Sequence, residues 1–471
     1  MIQAVLNVVT RIYNIFGLYS KSVCGRSINS RIFSAAVTIG VLALVVHLVA
    51  IAKELLVAAW FGTSDTLDAF LMAMVIPTFI INVVAGSFHS AFIPVYIQVR
   101  DQEGPESSQI FFSNVMVYCT ILLILIMALL ALVAPSILPI MAAGFHSWKL
   151  TLTQNLFYWL LPIIVIQGIV VIWSAVLNAG SRFALVAIAP AILPLTIIVA
   201  LVGRGTNWGI YSLVVGTLIG FIVQAIMIGV GLRRQGLNLR PQWNIKSPHV
   251  RTVMRQYAPL LAAAFLMSAT NLVDQAMASR LRPGSIAVLN YGSRLVAVGL
   301  GLTAASIATA AFPFFSRLVV HKDWPTLWQT LRVYLRWIFI ITVPILFLIS
   351  AFSEPIVRLL YERGAFSPGD TQLVAQVQSL LVLQIPFNIG GILLVKVISS
   401  LQANQVLMWA SGINLIIKIV LNYLFIQWLG VAGIALSTSL MYLGSFVFVF
   451  YFVQLFLNKL RNKESPINGS E

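Results

Sequence analysis

Long apolar runs recur along this chain between short polar breaks, and no other feature limits its fold as strongly. The hydrocarbon core of a bilayer is about 30 Å thick and each helical residue rises about 1.5 Å, so a spanning helix needs about 20 apolar residues. Runs of that length, bounded by Gly, Pro and charge clusters, lie near 33–61, 67–98, 108–134, 150–177, 182–203, 209–232, 252–280, 286–316, 328–352, 370–400, 405–427 and 431–457. They predict an all-α polytopic membrane protein with about 12 transmembrane helices. A mean hydropathy of +0.96, with 60% hydrophobic and 9% charged residues, excludes an ordinary soluble domain.

The formal net charge of +16 would suit a nucleic-acid partner if the cations formed one patch. They sit instead in short segments between apolar runs, where Lys and Arg orient a chain in the membrane, so no nucleic acid is expected. Placing both termini in the cytoplasm keeps Arg11, Lys21, Arg26 and Arg31, then Arg233, Arg234, Arg240, Lys246 and Arg251, and finally Lys459, Arg461 and Lys463 on that side. The expected organisation is an amphipathic cytoplasmic segment over 1–31, a six-span N-lobe over 32–232, a basic cytoplasmic linker over 233–250, a six-span C-lobe over 251–457 and a cytoplasmic tail over 458–471.

The two halves of the sequence resemble each other. Pro162 matches Pro386, Leu177 matches Leu401, Gly209-Ile210 matches Gly433-Ile434 and Gly220 matches Gly444, all at a spacing of 224 residues. Pro135 and Gly144 match Pro355 and Gly364 at a spacing of 220, and Pro94 matches Pro313 at 219. Such a repeat predicts two pseudo-symmetric six-helix lobes of the same orientation, related by an axis along the membrane normal, with substrate sites between them.

Catalytic signatures are missing: there is no phosphate-binding loop, nucleophile elbow, zinc-protease motif or dinucleotide fingerprint. The histidines at 47, 89, 146, 249 and 321 are too dispersed for a metal cluster, and Cys24 and Cys119 fall in different segments. The expectation is a transporter rather than an enzyme, without cofactor or metal, driven by a gradient or the membrane potential. Ionisable groups at membrane depth mark its candidate sites, because isolated charge there is costly. In the first half these are His47, Lys53, Glu54 and Asp68, with Asn82 and His89 seven residues apart on one face. They form either a cavity wall that receives an anionic head group or an interhelical pair, such as Lys53 with Asp68, that holds the lobe together. In the second half they are Asp274, Arg280, Arg294, Lys396, Lys418 and Asn422, with Lys418 and Asn422 one turn apart. Arg280 and Arg282 stand near a span end, where long side chains snorkel to the interface. The segment SEPIVRLLYERGAFSPGD reads as an amphipathic surface helix followed by a turn.

Five stretches carry a family resemblance. FGTSDTLDAFLMAMVIPTF followed by HSAFIPV, then NYGSRL, YERGAFSPGDT and LVKVISSLQA, resemble segments of the MviN/MurJ family of lipid II flippases, within the multidrug/oligosaccharidyl-lipid/polysaccharide exporter superfamily. The resemblance implies two six-helix lobes around a central cavity, and a flippase that moves an undecaprenyl-pyrophosphate-linked glycan, lipid II or a related polysaccharide precursor, across the bacterial inner membrane by alternating access. Its partners would be that glycan, the bilayer and envelope-synthesis enzymes. Carried onto this sequence, the substrate-binding set is Lys53, Arg294, Lys396, Asp68, His47, Glu54 and Asn82. This chain has His47, Lys53-Glu54, Ile81-Asn82 and Gly292-Ser293-Arg294 where typical members carry arginine, Arg-Asp, Arg-Arg and Ala-Asp-Arg in turn. Some members bind sodium in the second lobe, and the matching positions are Asp274, Lys418, Asn422 and Thr438; the lysine one turn before Asn422 predicts that the Lys418 ammonium replaces a metal ion beside Asp274. Two other readings stand beside this one, a non-transporting scaffold or regulator of envelope assembly and a drug/cation antiporter of the same fold.

Overall fold

The computed structural model describes residues 28–180, 182–238, 248–401, 403 and 405–464. The amphipathic segment expected over 1–31 falls mostly outside the described residues, as do the middle of the basic linker and the end of the tail. Among the described residues all regular structure is helical. The first half runs α1 (Ile28–Phe61), α2 (Asp65–Ile80), a π-helical turn (Ile81–Ala85), α3 (Gly86–Met141), α4 (Ser147–Leu160), α5 (Pro162–Ala179), α6 (Phe183–Ile188), α7 (Ile192–Trp208) and α8 (Tyr211–Arg234). The second half runs α9 (Pro248–Ala278), α10 (Ser285–Val320), α11 (Trp324–Ala351), α12 (Ser353–Tyr361), α13 (Pro368–Val382), α14 (Ile385–Ser400), α15 (Gln405–Leu429) and α16 (Val431–Glu464).

Among the described residues 10 helical stretches are long and apolar enough to cross a membrane. One of them, Asp65–Met141, is 77 residues long and takes in two of the runs read from the sequence. The chain breaks within it at Gly104 (φ 90), just before Pro105, in the polar segment between those runs. The expected total of about twelve is therefore not what this count gives. Large apolar side chains stand exposed on these helices, Leu132 at 79% and Trp428 at 77% among them, as expected where the surrounding medium is lipid.

The helices gather into two compact units. One comprises Ala69–Ile140, His146–Phe265 and the described part of the chain up to Val57. Within it α7 and α8 pack along their lengths, and α5 lies against α8. The other unit comprises Leu266 onward together with two short segments of the first half, Ala58–Asp68 and Met141–Phe145. Its main core joins α11, α14 and α16 through Leu327, Leu331, Leu394, Val397 and Val453. The surface helix expected after Ser353 is α12, which buries Val357 and Tyr361 and exposes Leu359, with Arg358 bonded to Glu354 across one turn at 2.9 Å.

The sequence repeat has a physical counterpart in this second unit. A Cβ added to Gly144 would meet the Ser279 carbonyl oxygen at 2.2 Å, and one added to Gly364, whose φ is +62°, would meet the Ala59 carbonyl oxygen at 2.2 Å. The spacing of 220 that relates Gly144 to Gly364 also relates Ala59 to Ser279. Each half thus lays a glycine loop against the end of the first spanning helix of the other half. One detail of the repeat changes: the turn glycine with positive φ that answers Gly209 (φ 50) is Gly430 (φ 56), whereas Gly433 is excluded from bearing a side chain by the Phe425 carbonyl at 2.4 Å.

Adding a methyl at either clasp position requires backbone to move, which costs about 1–3 kcal/mol. Gly364→Ala and Gly144→Ala should each lower the thermal unfolding midpoint in detergent by several degrees. Gly412→Ala, with open space around it, should leave the midpoint unchanged or raise it through helix propensity.

Candidate functional site

On α1 the Lys53 Nζ lies 2.6 Å from Glu54 Oε1, with side chains 18% and 8% exposed. Neighbours in sequence, they form a local ion pair in which the acid partly cancels the cation. His47 is half-buried on the same helix, two turns earlier. Asn82 is exposed and sits in the π-helical turn, whose wider hydrogen-bonded ring shifts the phase of the helix. The shared face expected for Asn82 and His89 rested on uninterrupted α-helical periodicity, which that turn breaks, and His89 is half-buried.

Asp68 takes a structural place that its sequence position did not announce. It is 1% exposed. Its Oδ2 accepts from the Gly284 N–H at 2.7 Å and its Oδ1 from the Ala287 N–H at 2.9 Å. Those two donors belong to the first turn of α10, whose N-cap, Gly284, has a φ of 85° and no side chain to cap its own helix. A carboxylate satisfies the orphan N–H groups and complements the positive end of the helix dipole. Nearby bonds secure the same segment. Tyr291 donates to the Gly62 carbonyl at 3.2 Å, the Ala365 N–H to the Ala59 carbonyl at 2.8 Å, and the Thr63 hydroxyl to Asp370. Asp370 meanwhile closes a capping box with Ser367 at the start of α13.

These partners, Gly62, Thr63, Gly284, Tyr291 and Asp370, were not among the residues singled out from the sequence. The signals were there in part: Ser367-Pro-Gly-Asp370 is a capping-box pattern, and Gly364 emerged from the repeat. Nothing local in the sequence pairs Thr63 with a residue 307 positions away.

Arg294, on α10, is exposed, and its Nε donates to Asn290 Oδ1 at 3.1 Å one turn earlier. Lys396 is half-buried on α14, which packs against α10.

The four ion-coupling candidates come together. Lys418 Nζ lies 3.0 Å from Asp274 Oδ1 and also donates to the Thr438 hydroxyl. Asn422 Nδ2 donates to the same Asp274 oxygen at 2.8 Å, and Thr438 donates onward to the Ile434 carbonyl. Lys418 is 1% exposed and Asn422 is fully buried. The expected one-turn partnership of Lys418 and Asn422 is thus realised through a shared acceptor on α9. A metal ion does not fit this donor set, because the ammonium lies against both the carboxylate and the hydroxyl that would ligate it. Among the described residues no group of three or more His, Cys, Asp or Glu side chains is placed to hold a metal.

The sequence matches the model of the family described as lipid II flippase MurJ over residues 57–462. The chain belongs to the MurJ family. Among its curated relatives, the lipid II flippase MurJ of Burkholderia cenocepacia is 26% identical over 429 residues, covering 86% of this chain and 80% of the relative. The probable lipid II flippase MurJ of Synechocystis is 28% identical over 409 residues, covering 82% and 74%. Among solved structures, a lipid II flippase MurJ in an inward closed conformation superposes with a TM-score of 0.77 at 24% identity, covering 89% of this chain and 87% of that one. An inward-facing multidrug transporter of the MATE family superposes at 0.73 with 14% identity, a likeness of fold alone.

Two substitutions test this geometry. Removing the Asp68 cap in Asp68→Ala should destabilise the protein by about 2–4 kcal/mol, from one lost cap and two charge-assisted bonds, while Asp68→Asn should lose less. Lys418→Met leaves a buried carboxylate unpaired and should cost about 3–5 kcal/mol, most of it recovered in the double variant Lys418→Met with Asp274→Asn. Denaturation in detergent micelles, followed by tryptophan fluorescence, reads both.

Proposed function

We propose that this protein is a lipid II flippase of the bacterial inner membrane, carrying an undecaprenyl-pyrophosphate-linked glycan between leaflets while its prenyl tail stays in the bilayer. The observation that carries this reading is the family match over residues 57–462, which takes in every candidate from Asp68 to Thr438. Catalysis of a covalent reaction has no part in it. The charge distribution of the loops supports termini on the cytoplasmic side, with lobes over 32–232 and 251–457.

The head group to be moved is a pyrophosphate, and cations are what it needs. Arg294 is the strongest candidate: its guanidinium is always charged, makes bidentate bonds to phosphate, and is oriented by Asn290. Lys53 is tempered by Glu54 at 2.6 Å, and Lys396 is a second point charge on the helix packed against α10. His47 and Asn82 are the remaining polar candidates, on α1 and in the π-helical turn. A cationic candidate set disfavours cationic drugs as cargo, which speaks against the antiporter reading.

Alternating access requires bonds that hold one state and break in the next. The Asp68 bonds to the start of α10, with those of Gly62 and Thr63, are suited to that role, since they are polar, few and reversible. The Lys418 ammonium serves as a built-in cation for Asp274, so transport should not depend on sodium.

Reconstitution into vesicles with a labelled lipid-linked glycan tests the proposal. Wild type should flip the label equally well in sodium and in potassium buffers. Arg294→Ala should slow flipping by about tenfold or more, the loss expected for one charge-assisted contact to phosphate. Unchanged flipping in Arg294→Ala would remove the cation from the mechanism, stimulation by sodium would remove Lys418 from its proposed role, and absence of flipping by wild type would favour the scaffold.

A further inference from the structure

A second ligand site is built between α9 and α15, apart from the residues assigned to transport. Val273, Ala276, Met277 and Arg280 follow one face of α9 at the i, i+3, i+4, i+7 spacing. With Ile419 and Tyr423 of α15 they border a cavity of about 550 Å³. It is an open groove: Ile419 is 45% and Tyr423 65% exposed. Both helices are apolar enough to span a membrane, as Thr252–Ala278 and Gln405–Leu429. Helices of that length and composition set the groove at bilayer depth, where an acyl chain is its natural filling.

Apolar walls alone would not select a ligand, because lipid tails gain little by exchanging one hydrocarbon contact for another. Selection comes from the end of the groove. Arg280 stands two residues beyond the end of the spanning segment, at the depth of the head groups, and Arg282 follows it. Both are exposed, and among the described residues neither forms an ion pair. The backbone beneath Arg280 is held from below, since Gly144 abuts Ser279 and the Arg280 Cα, and the Ser279 hydroxyl donates to the Met141 carbonyl at 2.9 Å. The groove thus has an apolar floor about 10 Å long from Val273 to Arg280, with a cation on an anchored backbone at one end.

We propose that this groove binds an anionic phospholipid, with one acyl chain along the α9 and α15 face and its head group on Arg280. The site deepens the second unit rather than the transport path. Val273 and Ile419 adjoin Asp274 and Lys418 in sequence, so a seated chain packs against the two helices that carry the buried ion pair.

Photo-crosslinking decides the matter. The protein is reconstituted with trace diazirine-tailed phosphatidylglycerol or phosphatidylcholine of the same chain, and adducts are mapped by mass spectrometry. A single interfacial arginine is worth about 1 kcal/mol toward an anionic lipid, or about a fivefold preference. Wild type should therefore label the Val273–Arg280 and Ile419–Leu424 peptides about fivefold more with phosphatidylglycerol. Arg280→Gln should abolish the preference, and Ala276→Trp, which fills the groove, should abolish labelling by both lipids there. Equal labelling by the two lipids, or a preference that survives Arg280→Gln, overturns the proposal. Displacement of phosphatidylglycerol by equimolar undecaprenyl phosphate also overturns it, since the groove would then belong to a prenyl lipid. Circular dichroism on both variants confirms that they remain folded.

Discussion

The carboxylate of Asp68 on the first turn of α10 is the contact on which the second unit most depends. An α-helix begins with N–H groups that have no partner of their own, and at a buried helix start, as the 1% exposure of Asp68 shows this one to be, water is not available to satisfy them. At α10 the usual remedy fails, because the N-cap is Gly284, chosen for a left-handed backbone and for the Thr63 carbonyl 2.3 Å from where a side chain would begin. The missing cap arrives from a residue 216 positions earlier. One acid therefore does two things at once, ending an electrostatic deficit and fixing where the FGTSD segment sits.

A second buried charge follows a different logic. Lys418 and Asp274 neutralise each other within bonding distance, with Thr438 and Asn422 taking further hydrogen-bonding positions. Such a pair is weak evidence for stability, since an apolar replacement of both partners is often no worse. What it does is tie three helices at one point, since the ammonium on α15 meets the carboxylate on α9 and the hydroxyl on α16 together. The two sites divide the labour. The cap joins segments far apart in sequence, and the ion pair joins three helices of one bundle.

Much of this was legible in the sequence, residue by residue. The apolar runs placed the helices, and the break at Gly104 fell in the polar RDQEGPE segment between two of them. The repeat found Gly144 and Gly364 before any coordinate did. The family resemblance groups Asp274, Lys418, Asn422 and Thr438, which the fold brings together. The role of Asp68 was less legible: a carboxylate in a span reads as a ligand for cations, and its donors here are backbone N–H groups, which carry no signature in a sequence. The π-helical turn at Ile81–Ala85 was equally hidden, since one extra residue in a helix leaves no mark on its hydropathy, yet it changes which way Asn82 and His89 face.

The sequence by itself determined the medium, the helical architecture, the twofold repeat and the family, because those follow from local hydropathy, spacing and short motifs. Only the tertiary structure decided which buried charges answer which partners. Long-range pairing depends on where helix ends meet, and the chain encodes that in the combined packing of many apolar side chains rather than in any one stretch. Asp68 and Gly284, Gly364 and Ala59, and Lys418 and Asp274 are partners for that reason, and the cation at the end of the α9 groove is placed by the same packing.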